Sequence, residues 1–165
     1  MKLVPQPLMA EAFAPFGRVI ECGGGDVLHI NAGTCERHHA LASVECTAGR
    51  QPVVSIFRAQ PRDLPLRVTM MERHPLGSQA FVPMPHEAGD GGWLVVVAPD
   101  DGGMPGTPEA FLARSDQGVS YGTNVWHHPL IALGGERLFT VVDAIGDEPN
   151  LEERAYATPY TLERA

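Results

Sequence analysis

The sequence predicts a single all-β domain of the double-sheet or barrel type, with one or two short helices. Three observations predict it. Nine apolar or alternating runs, bounded by Gly, Pro, Asp and Asn, follow one another between residues 19 and 146. The 18 glycines and 15 prolines lie scattered between those runs, as many short strands joined by turns require. At 165 residues the chain fits one domain with a sizeable core, and no linker, repeat or low-complexity segment divides it.

Taken in order, LMAEAFA at 8–14 is built of good helix formers and stops before Pro15, with Phe16-Gly17 as the turn that follows. VIEC, VLHIN, LASVEC, PVVSIFRAQ, LRVTMMERH and QAFVPM, from 19 to 84, then read as strands. GWLVVVAP at 92–99 is a continuous apolar strand. TPEAFLAR at 107–114 predicts a second helix, with Thr107 as cap and Pro108 at the first helical position. GVSYGTNVW at 118–126 and LFTVVDAIG at 138–146 complete the strand set.

Composition narrows the function. The net charge of −8 and the lack of a basic cluster argue against nucleic acid as a partner. The first twenty residues hold no apolar core of signal-peptide length, and no apolar run is long enough to span a membrane. Cys22, Cys35 and Cys46 are odd in number and lack C-x-x-C spacing, so a reducing, cytoplasmic setting is expected, with neither a disulfide framework nor a thiolate zinc site.

MERHPLGSQAFVPM at 71–84 places Glu72 and His74 two apart on a strand, hence on one face, with Arg73 turned away. Leu76-Gly77-Ser78 reads as a turn that brings Gln79 to the same cluster. GVSYGTNVWHHPLIAL at 118–133 adds His127 inside an apolar strand, and alternation allows only one of His127 and His128 to face inward. An E-x-H pair alone is most often a solvated strand face. Its combination with a later histidine in an apolar strand points to a polar cluster inside a barrel.

With Glu72, His74, Gln79 and His127 at four ligand positions, these stretches resemble the two-part metal motif of cupins, which implies a cupin-type jelly-roll barrel. ERHPLGSQAF and GVSYGTNVWHHPL are more closely similar to the ureidoglycolate lyase family. INAGTCERHHAL at 30–41 and FRAQPRDLPL at 57–66 extend that resemblance through most of the chain. Glu72 stands where the general cupin pattern has histidine, Gln79 where it has glutamate, and Ala144 where the family pattern carries arginine after the aspartate. The resemblance implies cleavage of ureidoglycolate to glyoxylate and urea, a divalent metal ion, nickel in particular, and a homodimer.

One anionic oxygen, one amide and two imidazoles suit a hard or borderline divalent ion rather than a closed zinc site. Without a metal, Glu72 or His74 can serve as general base, and His127 joins them as a candidate catalytic residue. For the substrate carboxylate the candidates are Arg37, in ERHHAL, and Arg73, with strand alternation counting against Arg73. His39 and Gln79 are further candidates for substrate binding, and Ser78 and Tyr121 can hydrogen-bond a ureido group, whereas Trp126 and Phe81 are expected in the core. Two other readings use the same residues: a metal-dependent cupin enzyme acting on another small carboxylic acid, and a cupin that binds a small molecule without turnover.

Overall fold

The run WLVVVA is buried at every position because both faces of its strand are covered. Trp93, Val95 and Val97 enter one apolar cluster with Phe81, Phe111, Val119, Phe139 and Val141. Leu94, Val96 and Ala98 enter a second with Val68, Met71, Trp126, Ile131 and Leu162. A strand buried on both sides has no need of polar alternation, which is why it reads as a continuous apolar segment.

The computed structural model describes residues 1–85 and 92–164. Its first sheet has eight strands, in the order Lys2–Leu3, Glu152–Leu162, Leu66–Arg73, Trp126–His127, Trp93–Ala98, Glu109–Ala113 and Gln6–Pro7, with Ile131–Ala132 also on Trp93–Ala98. The second sheet has five, in the order Gly17–Ile20, Gly118–Tyr121, Gln79–Pro83, Arg137–Ile145 and Gln51–Ala59. The first cluster draws side chains from both sheets and is therefore the layer between them. Asp26–Ile30 and Cys35–His39 form a separate exposed hairpin. The result is the expected all-β, cupin-like arrangement of two facing sheets. Among the described residues, no helix is long and apolar enough to cross a membrane.

The N-terminal helix is Ala10–Phe13, a single turn that drives Phe13 into the inter-sheet layer, edge-on to Phe111 at 5.6 Å between ring centroids. The second expected helix does not form. Residues 109–113 are instead a strand, paired antiparallel with Trp93–Ala98 and parallel with Gln6–Pro7. Phe111 and Ala113 enter the first cluster and Ala110 the second. That period-two division, with a partner strand on each side, outweighs the modest helix propensity of Glu, Ala and Leu.

Two further differences concern strands. LASVEC forms only an isolated bridge from Cys46 to Gly77. Glu152–Leu162, an eleven-residue strand where none is expected, pairs with Leu66–Arg73 through an irregularity between Ala155 and Tyr160. Its sequence is polar and contains Pro159, so no apolar alternation announces it; the pairing is supplied by the neighbouring strand.

Candidate active site

Glu72 lies directly opposite His127 on the adjacent strand, and His127 lies opposite Val97 on the next. Residues in one cross-strand row share a face. Val97 belongs to the inter-sheet cluster, so Glu72 and His127 also face the space between the sheets. The chain then crosses from the first sheet to the second through a turn at Pro75-Leu76. His74 stands just before that turn and Gln79 opens the second sheet, paired with Tyr121. The turn thus delivers Gln79 from the facing sheet, rather than from a reversal within one sheet.

A cavity of about 650 Å³ results, whose lining includes Glu72, His74, Gln79, Tyr121, His127, His128 and Asp143. The ligand-capable atoms of Glu72, His74 and His127 all lie within 4.8 Å of one another. His127 stacks on Tyr121, with centroids 4.3 Å apart and planes 14° apart, which fixes the imidazole plane. A larger depression of about 980 Å³ lies alongside, lined by Ser43, Ser78, Ser120 and Thr123 among others. Its one carboxylate, Glu45, accepts a hydrogen bond from Thr123 Oγ1 at 3.0 Å, whereas the smaller cavity brings Glu72, His74 and His127 together.

The backbone sets the tautomers of the two inward histidines. His74 Nδ1 bonds the Asn150 carbonyl and His127 Nδ1 the Val125 carbonyl at 2.9 Å. A carbonyl only accepts, so each neutral ring carries its hydrogen on Nδ1 and keeps a lone pair on Nε2. His127 Nε2 faces Glu72 Oε1 at 3.5 Å. Burial pulls the Glu72 carboxyl upward, but the facing His127 and the nearby His74 and His128 outweigh it and hold the group below the usual carboxylate range. Burial pushes His74 down, against the bond to Asn150. Glu72 is therefore ionised at neutral pH, and His74 is held neutral beside it.

Four buried polar atoms in this cavity have no hydrogen-bond partner: His74 Nε2, His127 Nε2, Gln79 Oε1 and Asp143 Oδ1. A buried polar atom left unpaired costs on the order of 1–3 kcal/mol, and several in one cavity mark a place built for a ligand. Two imidazole nitrogens and amide and carboxylate oxygens form a donor set that fits a borderline divalent ion. The carbonyl-bound Nδ1 positions complete the arrangement usual behind metal-binding histidines.

The remaining expected residues are placed elsewhere. Arg73 points to the opposite face, where it bonds Glu152 at 2.7 Å and Asp100 at 2.8 Å and lies 4.3 Å from the Trp126 ring centroid. The same alternation that turns Glu72 inward leaves Arg73 outside the cavity lining. Arg37 is exposed on the separate hairpin and is not part of the cavity lining, and His39 lies on that strand too. Ser78 accepts from the Glu45 amide at 2.8 Å, pinning the 45–47 segment, and borders the neighbouring depression. Ala144 is buried one residue from Asp143, on the opposite face of its strand, and is not part of the cavity lining. His128 corrects the alternation argument. The strand ends at His127, and His128 beyond it also lines the cavity.

Asp143 and Arg62 escape the sequence reading. Asp143 was legible: in LFTVVDAIG, Phe139 and Val141 face inward, so Asp143 two residues on is a carboxylate on the apolar face. Arg62 sits in FRAQPRDLPL without a strand period to orient it.

Two sheets enclosing a pocket with a Glu–His–His cluster define a small cupin-like protein equipped for acid–base or metal-assisted chemistry on a small molecule. The chain belongs to the ureidoglycolate lyase family: the family profile described as ureidoglycolate lyase matches residues 1–163. It is 51% identical over 158 residues to a ureidoglycolate lyase of Rhizobium etli, covering 95% of this chain and 93% of that protein. It is also 51% identical over 163 residues to one of Brucella anthropi, covering 98% and 94%, and 54% identical over 153 residues to one of Brucella ovis, covering 92% and 88%.

Proposed function

We propose that this chain cleaves ureidoglycolate to glyoxylate and urea in the cavity around Glu72. The observation that carries the reading is the convergence of four partnerless buried polar atoms beside an ionised carboxylate, in a chain of this family. Glu72 takes the proton of the substrate's carbinol hydroxyl. The oxygen forms a carbonyl, the C–N bond breaks, and the electron pair passes to the ureido nitrogen, which regains a proton from the Glu72 carboxyl. Asp143 Oδ1 accepts hydrogen bonds from the ureido N–H groups. No water is consumed, so stabilisation of a tetrahedral oxyanion at the ureido carbonyl is not needed.

His74 Nε2, His127 Nε2 and Gln79 Oε1 would hold a divalent ion, with Glu72 at the edge of the set. Such an ion supplies Lewis acidity that makes the hydroxyl easier to deprotonate. Metal-stripped protein is expected to bind nickel stoichiometrically in calorimetry, and His74→Ala to lose affinity by roughly tenfold or more. Equal affinity in wild type and variant would remove His74 from the ligand set. The three free cysteines are in keeping with work in the cytosol, and exposed Val54 and Ile56 on the edge strand Gln51–Ala59 offer an apolar surface for a homodimer.

The product distribution tests the reading directly. Purified protein given ureidoglycolate should release glyoxylate and urea in equal amounts, with no ammonia formed at the same rate. Ammonia in place of urea would mean hydrolysis at the ureido carbonyl, and binding without turnover would leave a small-molecule-binding protein.

A further inference from the structure

We propose that Arg62 binds the carboxylate of the substrate. The inference rests on the proposed lyase reading: the substrate is an anion, and the cavity presents the carboxylates of Glu72 and Asp143 to it. Without a fixed positive charge, two carboxylates would repel the ligand they are to act on. A guanidinium meets a carboxylate with two parallel hydrogen bonds and so orients as well as attracts it.

Two arginines line the cavity, Arg58 and Arg62. Arg58 is engaged by Glu136 at 3.3 Å, and Glu136 also accepts from Gln60 Nε2 at 2.7 Å. Among the described residues, no carboxylate lies within ion-pairing distance of Arg62. Its backbone is nonetheless fixed: the Arg62 amide donates to the Ala132 carbonyl at 2.9 Å, and Pro61 bridges Ala132. The guanidinium thus hangs from a held backbone at the exposed rim of the pocket, close enough for its charge to be felt at His128. A substrate whose carboxylate is held there presents its carbinol carbon toward the Glu72 cluster.

The test compares Arg62→Gln, Arg62→Lys and Arg58→Gln with the wild type, using ureidoglycolate kinetics and, separately, calorimetric binding of glycolate, a non-reacting hydroxy acid. Arg62 makes no described side-chain bond, so its variants are expected to fold, which circular dichroism checks. Arg62→Gln should raise KM and the glycolate Kd in parallel by about 10- to 100-fold, the range for a charge-assisted pair. kcat should stay within about threefold of wild type, since an interaction present in both ground and transition states changes KM alone. Arg62→Lys should recover part of the loss, and inhibition by urea, which has no carboxylate, should not move. Unchanged KM and glycolate binding in Arg62→Gln, or the same loss in Arg58→Gln instead, overturns the assignment. If wild type binds glycolate but does not turn over ureidoglycolate, the lyase reading fails, and loss of glycolate binding in Arg62→Gln still supports the anchor.

Discussion

Glu72→Gln should lower kcat for ureidoglycolate cleavage by about 10²- to 10⁴-fold while leaving the protein folded. Glutamine keeps the length and volume of the side chain but cannot take a proton. In the proposed mechanism this residue is the base. Its carboxylate faces the cavity across from His127 and lies below the usual carboxylate range, so it is ionised at neutral pH. Because the fold holds this carboxyl below its usual range, the ionised form contributes stability at neutral pH, so thermal stability should be equal or slightly lower. KM should change little if Arg62, rather than Glu72, holds the substrate. Steady-state kinetics and a thermal melt on one preparation check both halves, and near-wild-type kcat in a folded Glu72→Gln protein would remove Glu72 from the chemistry.

Phe111→Ala should destabilise the fold by about 3–5 kcal/mol, the usual cost of truncating a fully buried phenylalanine. For a chain of this size the melting midpoint should fall by on the order of 10 °C. Phe111 is completely buried, edge-on to Phe13 and in contact range of Phe16 at 6.4 Å between centroids. Its removal opens a cavity in the layer joining the single helical turn to both sheets. Leu112→Ala, the neighbour on the other face and 38% exposed, should cost far less. That contrast between adjacent positions is the signature of a strand. Comparable losses at Leu112 and Phe111 in chemical denaturation would argue that residues 109–113 pack otherwise.

Much of the architecture was written in local pattern. The continuous run WLVVVA announced a strand covered on both faces, and the alternation of LRVTMMER and LFTVVDAI fixed which side chains turn inward. Period two is a property of the backbone, so it placed Glu72 and turned Arg73 away before any partner was known. The same period marked Asp143 as an inward carboxylate.

What the sequence by itself determined, then, was the strand content, the inward faces and the polar residue types that cluster on them. Tertiary structure decided the rest, for physical reasons that are non-local. EAFLA became a strand because Trp93–Ala98 on one side and the sequence-distant Gln6–Pro7 on the other satisfied its backbone. Polar Glu152–Leu162 joined a sheet through the free edge of Leu66–Arg73. His128 entered the cavity because its strand stopped one residue earlier, which no alternation rule registers. Arg62 gained its position from a single bridge to Ala132, a contact between segments seventy residues apart that leaves no local trace.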